Sequence, residues 1–401
     1  MFSQNYDKID NKIREILRST TLPEILKTKD ILEKSKYKRT SLKELAALLE
    51  VGKQQETDEQ FALIRSHVYS EFRKKTNTLR YIAPVYLSSY CVNTCGYCNY
   101  SAIRTDVQRT RLSLPDLDEE LQEVLAIGNR VIELTLATDP LFTPQKLGEY
   151  ITKTRELLNH EKGHKKGSGI LLCSGYLSKE DYKFLKEAGL WAMVQWDETL
   201  DKNRYKKWHG KSIRKSGFEE RIDNHDRAVQ AGLQVATGCL FGLADYRYDV
   251  LMQIAKARYL KKEYHAAPFV FGTPRLKSIA GKTLHTDDEV SDRQYELALM
   301  VYKLAEPKTA RWLQTRETPE LNLRNIVDQD IYTYQCGEVK PGGYKVNRDR
   351  LDSCKNSQFS VNEMTKKEFE EELSKRNFKG DYAWNALSSK PHLHQHPPHS
   401  S

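Results

Sequence analysis

Apolar residues along the chain first recur at helical spacing and then gather into short, dense runs. Over the first eighty residues the spacing predicts helices across 8–18, about 25–33, from Thr40 through TSLKELAALLE, and 58–75. Ser41 followed three residues later by Glu44 is a capping-box pattern and marks where the third helix begins. From Tyr81 the pattern changes. Eight β-rich runs follow: YIAPVYLSS at Tyr81, VIELTLAT at Val131, GILLCSG at Gly169, WAMVQWDE at Trp191, LQVATGCLFG at Leu233, APFVFGTPRL at Ala267, RWLQTRE at Arg311 and IYTYQCGE at Ile331. Amphipathic stretches separate them, which predicts an α/β chain of parallel strands joined by crossover helices. Eight such units permit a closed (β/α)8 barrel of the TIM type, with an open or partial barrel as the alternative. Chemistry is expected at the C-terminal ends of the strands. The implied division is a helical cap over 1–80, a barrel over 81–345, an α/β extension over 346–385 and a disordered tail over 386–401.

Composition narrows the function. Of 401 residues, 39% are hydrophobic and 30% charged, which allows a large core under a charged helical surface. The net charge of +9 is spread along the chain, with only short clusters such as Arg73-Lys74-Lys75 and Lys206-Lys207, and no aromatic-interleaved basic stripe accompanies it. No nucleic-acid partner is therefore expected. No apolar run approaches the ~20 residues that cross a bilayer, and the start MFSQNYDKID lacks a secretory apolar region, so a cytoplasmic protein without a membrane partner is expected. The polar stretch HEKGHKKGS reads as a surface loop, and PHLHQHPPHSS reads as a tail rather than a metal site.

Seven cysteines is an odd number, and three fall within eight residues, CVNTCGYC, a pattern suited to metal binding rather than to a disulfide framework. Cys91, Cys95 and Cys98 directly follow the first predicted strand, which places them on the loop at its C-terminal end. A structural zinc site wants four ligands, and no fourth Cys or His lies nearby in sequence. Three thiolates can hold an iron–sulfur cubane and leave one iron open for a ligand. A zinc knuckle or three buried thiols is the plainer alternative. The CxxxCxxC motif resembles that of radical S-adenosylmethionine (SAM) enzymes. The resemblance implies a [4Fe-4S] cluster on these three cysteines, SAM chelating the open iron, and a 5'-deoxyadenosyl radical after one-electron reduction.

Further stretches narrow the resemblance. APVYLSSYCVNTCGYCNYS, WDETLDKNRYKKWHGKS, LFGLADYRYD, TRETPEL, PGGY and NSQFSVN are similar to segments of the aromatic amino acid lyases, and the likeness spans about 40–373. That family includes the 2-iminoacetate synthase of thiamine synthesis, the tyrosine-cleaving maturase of [FeFe]-hydrogenase and, more distantly, the tryptophan lyase of thiopeptide synthesis. The resemblance implies cleavage of the Cα–Cβ bond of an aromatic L-amino acid, tyrosine first, to dehydroglycine and p-cresol. It assigns Tyr86, Arg316 and Tyr334 to the substrate, with the planar guanidinium of Arg316 clamping the carboxylate. It assigns Tyr97, Asp139, Glu198 and Arg227 to the cofactor side. A low-potential electron donor, flavodoxin or ferredoxin, is implied as partner, and the basic balance favours an acidic one.

The chain departs from the family in three places. Thr138-Asp139 stands where Gly-Glu is usual, so the carboxylate is one methylene shorter. Nothing after Cys354 resembles the maturase's auxiliary-cluster motif, and Cys173, Cys239, Cys336 and Cys354 read as structural. Tyr334-Gln335-Cys336-Gly337 replaces a run of small residues and would reshape the pocket beside Arg316. Tryptophan-lyase-type cleavage, a mutase or sulfur-insertion enzyme, and a non-catalytic cluster scaffold remain open as alternatives.

Overall fold

A computed structural model describes residues 1–53, 57–73, 76–160, 169–279, 283–333, 339–362 and 364–384. The expectations for Tyr334, Cys336, most of the 160–168 loop and the 386–401 tail lie outside the described residues.

Eight strands close a barrel: β1 (Thr78–Ser88), β2 (Val131–Leu136), β3 (Gly169–Cys173), β4 (Ala192–Glu198), β5 (Gln234–Cys239), β6 (Val270–Gly272), β7 (Ala310–Leu313) and β8 (Ile331–Thr333). Neighbours pair in sequence order and all in parallel, and β1 pairs with both β2 and β8, which closes the ring. Six strands lie within their apolar runs, while β1 begins three residues and β7 one residue ahead of theirs; strands covered by helices outside and packed inside carry little polar alternation. A ninth strand, β9 (Lys379–Asp381), joins the start of β1, with Thr78 opposite Lys379. It was not legible as a strand, since three residues, KGD, carry no apolar signal.

The lowest layer of the barrel is apolar, built from residues such as Ile82, Val131, Val194 and Val270. Trp384, just after β9, closes this end, its Nε1 donating to the Tyr81 carbonyl at 2.9 Å and its ring set edge-on to Trp191. Above that layer the Trp196 indole spans β5 and β6, where glycines make room for it. A Cβ on Gly272 would fall 2.2 Å from Trp196 Cη2, and one on Gly238 would fall 2.8 Å from Trp196 Cε3. Trp312 meets Trp196 edge-on at 5.5 Å and donates from Nε1 to Thr333 Oγ1 at 2.5 Å. These two indoles form the floor of the space above. Gly272→Ala must displace Trp196, and we expect it to cost ~1–3 kcal/mol as an overpacked core substitution, read as a lower urea-unfolding midpoint.

The N-terminal helices form as expected, at Ser3–Ser19, Ile25–Ser35, Leu42–Glu50 and Asp58–Phe72, and the Ser41–Glu44 capping box is present. They share a core with the outer helices Tyr246–Tyr264 and Asp292–Ala305. Tyr246 donates to the Leu49 carbonyl at 2.9 Å, and Tyr6 to the Leu200 carbonyl at 2.8 Å. This segment therefore braces the flank of the barrel.

A buried polar knot ties β4 to the helices behind it. Lys256 Nζ donates to both oxygens of Asp197, at 2.8 and 2.9 Å, and to His225 Nδ1 at 3.0 Å. His225 Nε2 donates to the Ala236 carbonyl at 3.1 Å, so Nδ1 is the acceptor. Burial and then the adjacent ammonium hold His225 down at about 3, so the ring is neutral.

Candidate active site

The loop after β1 carries the three cysteines and is strapped from two sides. Asn93 Oδ1 accepts from the backbone amides of Arg214 and Lys215, both at 3.0 Å, and Thr94 N donates to Ser212 Oγ at 3.2 Å. On the other side Asn99 Nδ2 donates to the carbonyls of Lys355 and Ser357, both at 2.7 Å, and Tyr100 donates to the Val339 carbonyl at 2.7 Å. Gln358 bridges the two functional elements, with Oε1 accepting from Tyr86 at 2.9 Å and Nε2 directed at Cys98 Sγ at 3.9 Å. The C-terminal NSQFSVN segment is thus a wall of the site.

Cys91, Cys95 and Cys98 line one cavity at the C-terminal face together with Tyr86, Tyr97, Glu198 and Arg316. The cavity encloses about 190 Å³, with the Trp196–Trp312 floor at its base. The thiols stand close enough to influence one another. Burial first, and then Cys95 and Cys91, push the Cys98 thiol up to about 12. Among the described residues no three His, Cys, Asp or Glu side chains converge on a single metal position. A cubane instead takes its thiolates on separate irons, so three adjacent thiols on one strapped loop fit a [4Fe-4S] cluster.

Glu198 ends β4 with φ +68°, the left-handed region, after a register shift between Trp196 and Glu198. Its Oε1 accepts from Lys215 Nζ at 2.5 Å and from Arg221 Nη2 at 2.9 Å, which leaves Oε2 for a ligand. Burial alone would raise its carboxyl, but Lys215, then Arg221 and His209, outweigh burial and hold it at about 2. The stabilisation from these pairs is therefore full above the ordinary glutamate value and is lost only as the pH falls towards about 2. Tyr97 donates to His209 Nε2 at 2.6 Å and accepts from Lys215 Nζ at 3.1 Å. Its ring faces the cysteines from within this network.

Arg316 is half-buried in the cavity wall with its guanidinium 3.6 Å from the Phe359 ring, and its buried Nε has no hydrogen-bond partner among the described residues. A buried donor left unmatched costs about 1–3 kcal/mol, which an anionic ligand would recover. Two expectations change. Arg227 does not line the cavity. It donates to the carbonyls of Leu177 at 2.8 Å and Glu220 at 2.6 Å, and Arg221 is the arginine that reaches the site. Asp139 is saturated: Oδ2 accepts from Ser88 Oγ and Arg111 Nε, both at 2.5 Å, and Oδ1 accepts from Arg111 Nη2 at 3.2 Å and Leu141 N at 3.1 Å. All four lone-pair sites are used in this way, while Asp139 lines a second cavity together with Lys215 and Arg221.

Sequence reasoning also missed Glu133 and Cys173, which line the cavity. Cys173 was read as a structural core cysteine. A signal was available for Glu133, because period-two alternation puts it on the same face of VIELTLAT as Thr135.

A closed parallel barrel with three clustered thiols at its C-terminal mouth defines a class. Residues 85–256 match the family model of the radical SAM superfamily, whose members use a [4Fe-4S] cluster and SAM. It is similar to 2-iminoacetate synthase of Escherichia coli (strain K12), 26% identical over 279 residues, 69% of this chain and 71% of the relative. Among solved structures it resembles HydG, a maturase of the [FeFe]-hydrogenase, at 25% identity and TM-score 0.79 over 93% of this chain and 80% of that one. The HydG maturase from Carboxydothermus hydrogenoformans shares the fold, with TM-score 0.82 at 24% identity over 94% and 85% of the two chains. No described helix is long and apolar enough to cross a membrane.

Proposed function

We propose that this protein is a radical SAM carbon–carbon lyase acting on an aromatic L-amino acid, with tyrosine first. The observation that carries the reading is the Arg316 guanidinium, its buried Nε unmatched among the described residues, in the same cavity as the three cysteines. Held by those cysteines, the cluster with SAM supplies a radical able to take a hydrogen atom from a bound substrate.

The chain's own residues do the rest. Arg316 takes the substrate carboxylate through charge-assisted hydrogen bonds, and the Tyr86 hydroxyl, fixed by Gln358, stands beside the amino acid. Glu198 offers Oε2 to the cofactor side while Lys215 and Arg221 hold its Oε1 in place. The indole floor keeps water from the reacting carbons. Cleavage of the Cα–Cβ bond would leave dehydroglycine and, after the benzylic fragment takes up an electron and a proton, p-cresol.

The test is an anaerobic assay of cluster-reconstituted protein with SAM and dithionite. 5'-Deoxyadenosine, p-cresol and glyoxylate are followed by mass spectrometry with each aromatic amino acid added separately. Tyrosine should stimulate all three products. 5'-Deoxyadenosine without p-cresol would overturn the cleavage, and no 5'-deoxyadenosine under any condition would make the chain a cluster scaffold. Arg316→Met should raise the KM for tyrosine about a hundredfold, equivalent to ~3 kcal/mol, through loss of a charged hydrogen-bonding partner.

A further inference from the structure

Glu133 is a carboxylic acid inside a barrel whose lower layer is apolar. It stands on β2 opposite Pro84 of β1, and its side chain lines the cavity while 7% of its surface is exposed. Its neighbours are the Thr135 hydroxyl and the Cys173 thiol, and Thr135 pairs in register with Cys173 across β2 and β3. Among the described residues no cation pairs with it: burial raises its carboxyl to about 7, and Thr135 and Cys173 pull the other way. The other carboxylate of the cavity, Glu198, has two cationic partners.

A leucine at this position would carry no desolvation penalty, so the carboxyl lowers stability unless something pairs with it. Tyr86, Glu133 and Arg316 line one cavity, and the Tyr86 side chain feels both of the other two. An α-amino acid held by its carboxylate at Arg316 would have its side chain in the same cavity as Glu133.

Resting on the lyase reading above, we propose that Glu133, backed by Thr135 and Cys173, is a specificity-determining residue. It receives a hydrogen-bond donor at the far end of the substrate side chain, the phenol hydroxyl, and so selects tyrosine over phenylalanine. Pockets built to bond a hydroxyl reject the analogue lacking it far more strongly than apolar pockets reject one extra methylene, because the carboxyl is left unmatched.

The test is calorimetric titration of the cluster-loaded, SAM-bound protein with L-tyrosine, L-phenylalanine and L-lysine, repeated for Glu133→Leu and Glu133→Gln. Tyrosine should bind about a hundredfold or more tighter than phenylalanine. Glu133→Leu should bring the two within a few-fold by weakening tyrosine alone. Glu133→Gln, which keeps a hydrogen-bonding head of the same size, should retain most of the preference and guards against a folding defect in the leucine variant. Equal binding of tyrosine and phenylalanine to the unaltered protein, an unchanged ratio in Glu133→Leu, or a preference for lysine would overturn the proposal. Discrimination that depends on Glu133 while no amino acid stimulates 5'-deoxyadenosine would instead sink the lyase reading and leave this inference standing.

Discussion

Cys98→Ala is expected to abolish both cluster retention and 5'-deoxyadenosine formation while leaving the fold intact. The loop does not depend on that thiol for its shape. Asn93 is tied to the backbone of Arg214 and Lys215, Asn99 to the carbonyls of Lys355 and Ser357, and Tyr100 to Val339. What the substitution removes is one of the three thiolates that the loop offers to iron; Cys173, which also lines the cavity, stands apart from the loop on β3. Iron content after anaerobic reconstitution should fall from about four per chain to a small residue, with loss of the visible absorbance of the cluster. Circular dichroism should be unchanged. Retention of a full complement of iron in Cys98→Ala would mean that some other side chain takes its place, and the three-cysteine site would be wrong.

Lys256→Met should destabilise the protein by ~3–5 kcal/mol, because it strands the Asp197 carboxylate in a site with no exposure. Burial works against ionisation of Asp197, but Lys256 and then His225 outweigh it and hold the carboxyl below its ordinary value. That contribution is present above the ordinary aspartate value and disappears as the pH falls through the lowered one, so it is complete near neutrality. Gln253 Nε2 also donates to Asp197 Oδ2 at 3.0 Å, and Thr237 Oγ1, 3.2 Å from the same oxygen, donates to Gln253 Oε1 at 2.7 Å. They soften the loss but bring no charge. The double variant Asp197→Leu with Lys256→Met should recover much of the stability, since replacing both members of a buried pair is far milder than removing one. Urea unfolding of the single and double variants checks this. A loss below about 1 kcal/mol in Lys256→Met would show that Asp197 is protonated in the native protein. Because Asp197 immediately precedes Glu198, the knot also anchors the strained turn at the end of β4.

The eight barrel strands were legible because each is an apolar run bounded by polar segments, and the cysteine loop because its ligands sit within eight residues. Features that depend on a partner distant in sequence were not. Asp139 looked like a shortened ligand for a cofactor, and only the fold shows that Arg111, 28 residues earlier, has filled it. Arg221 and Arg227 lie in adjacent short helices, Phe218–Ile222 and Asn224–Gln230, with Asp223 between them. Periodicity cannot be carried across that break, so the sequence did not show which arginine turns towards the cavity. Glu133 is the opposite case, since alternation along β2 marks it as inward and a charged residue facing into a barrel is a signal in itself.

Trp384 makes the barrel a blind vessel rather than a pipe. With its indole bonded to Tyr81 and braced by Trp191 at the far end, and the Trp196–Trp312 pair above, traffic through the described barrel runs past the cysteine loop in both directions. Whatever reacts at the floor must leave by the route it came, so the element that initiates the chemistry also stands at the door.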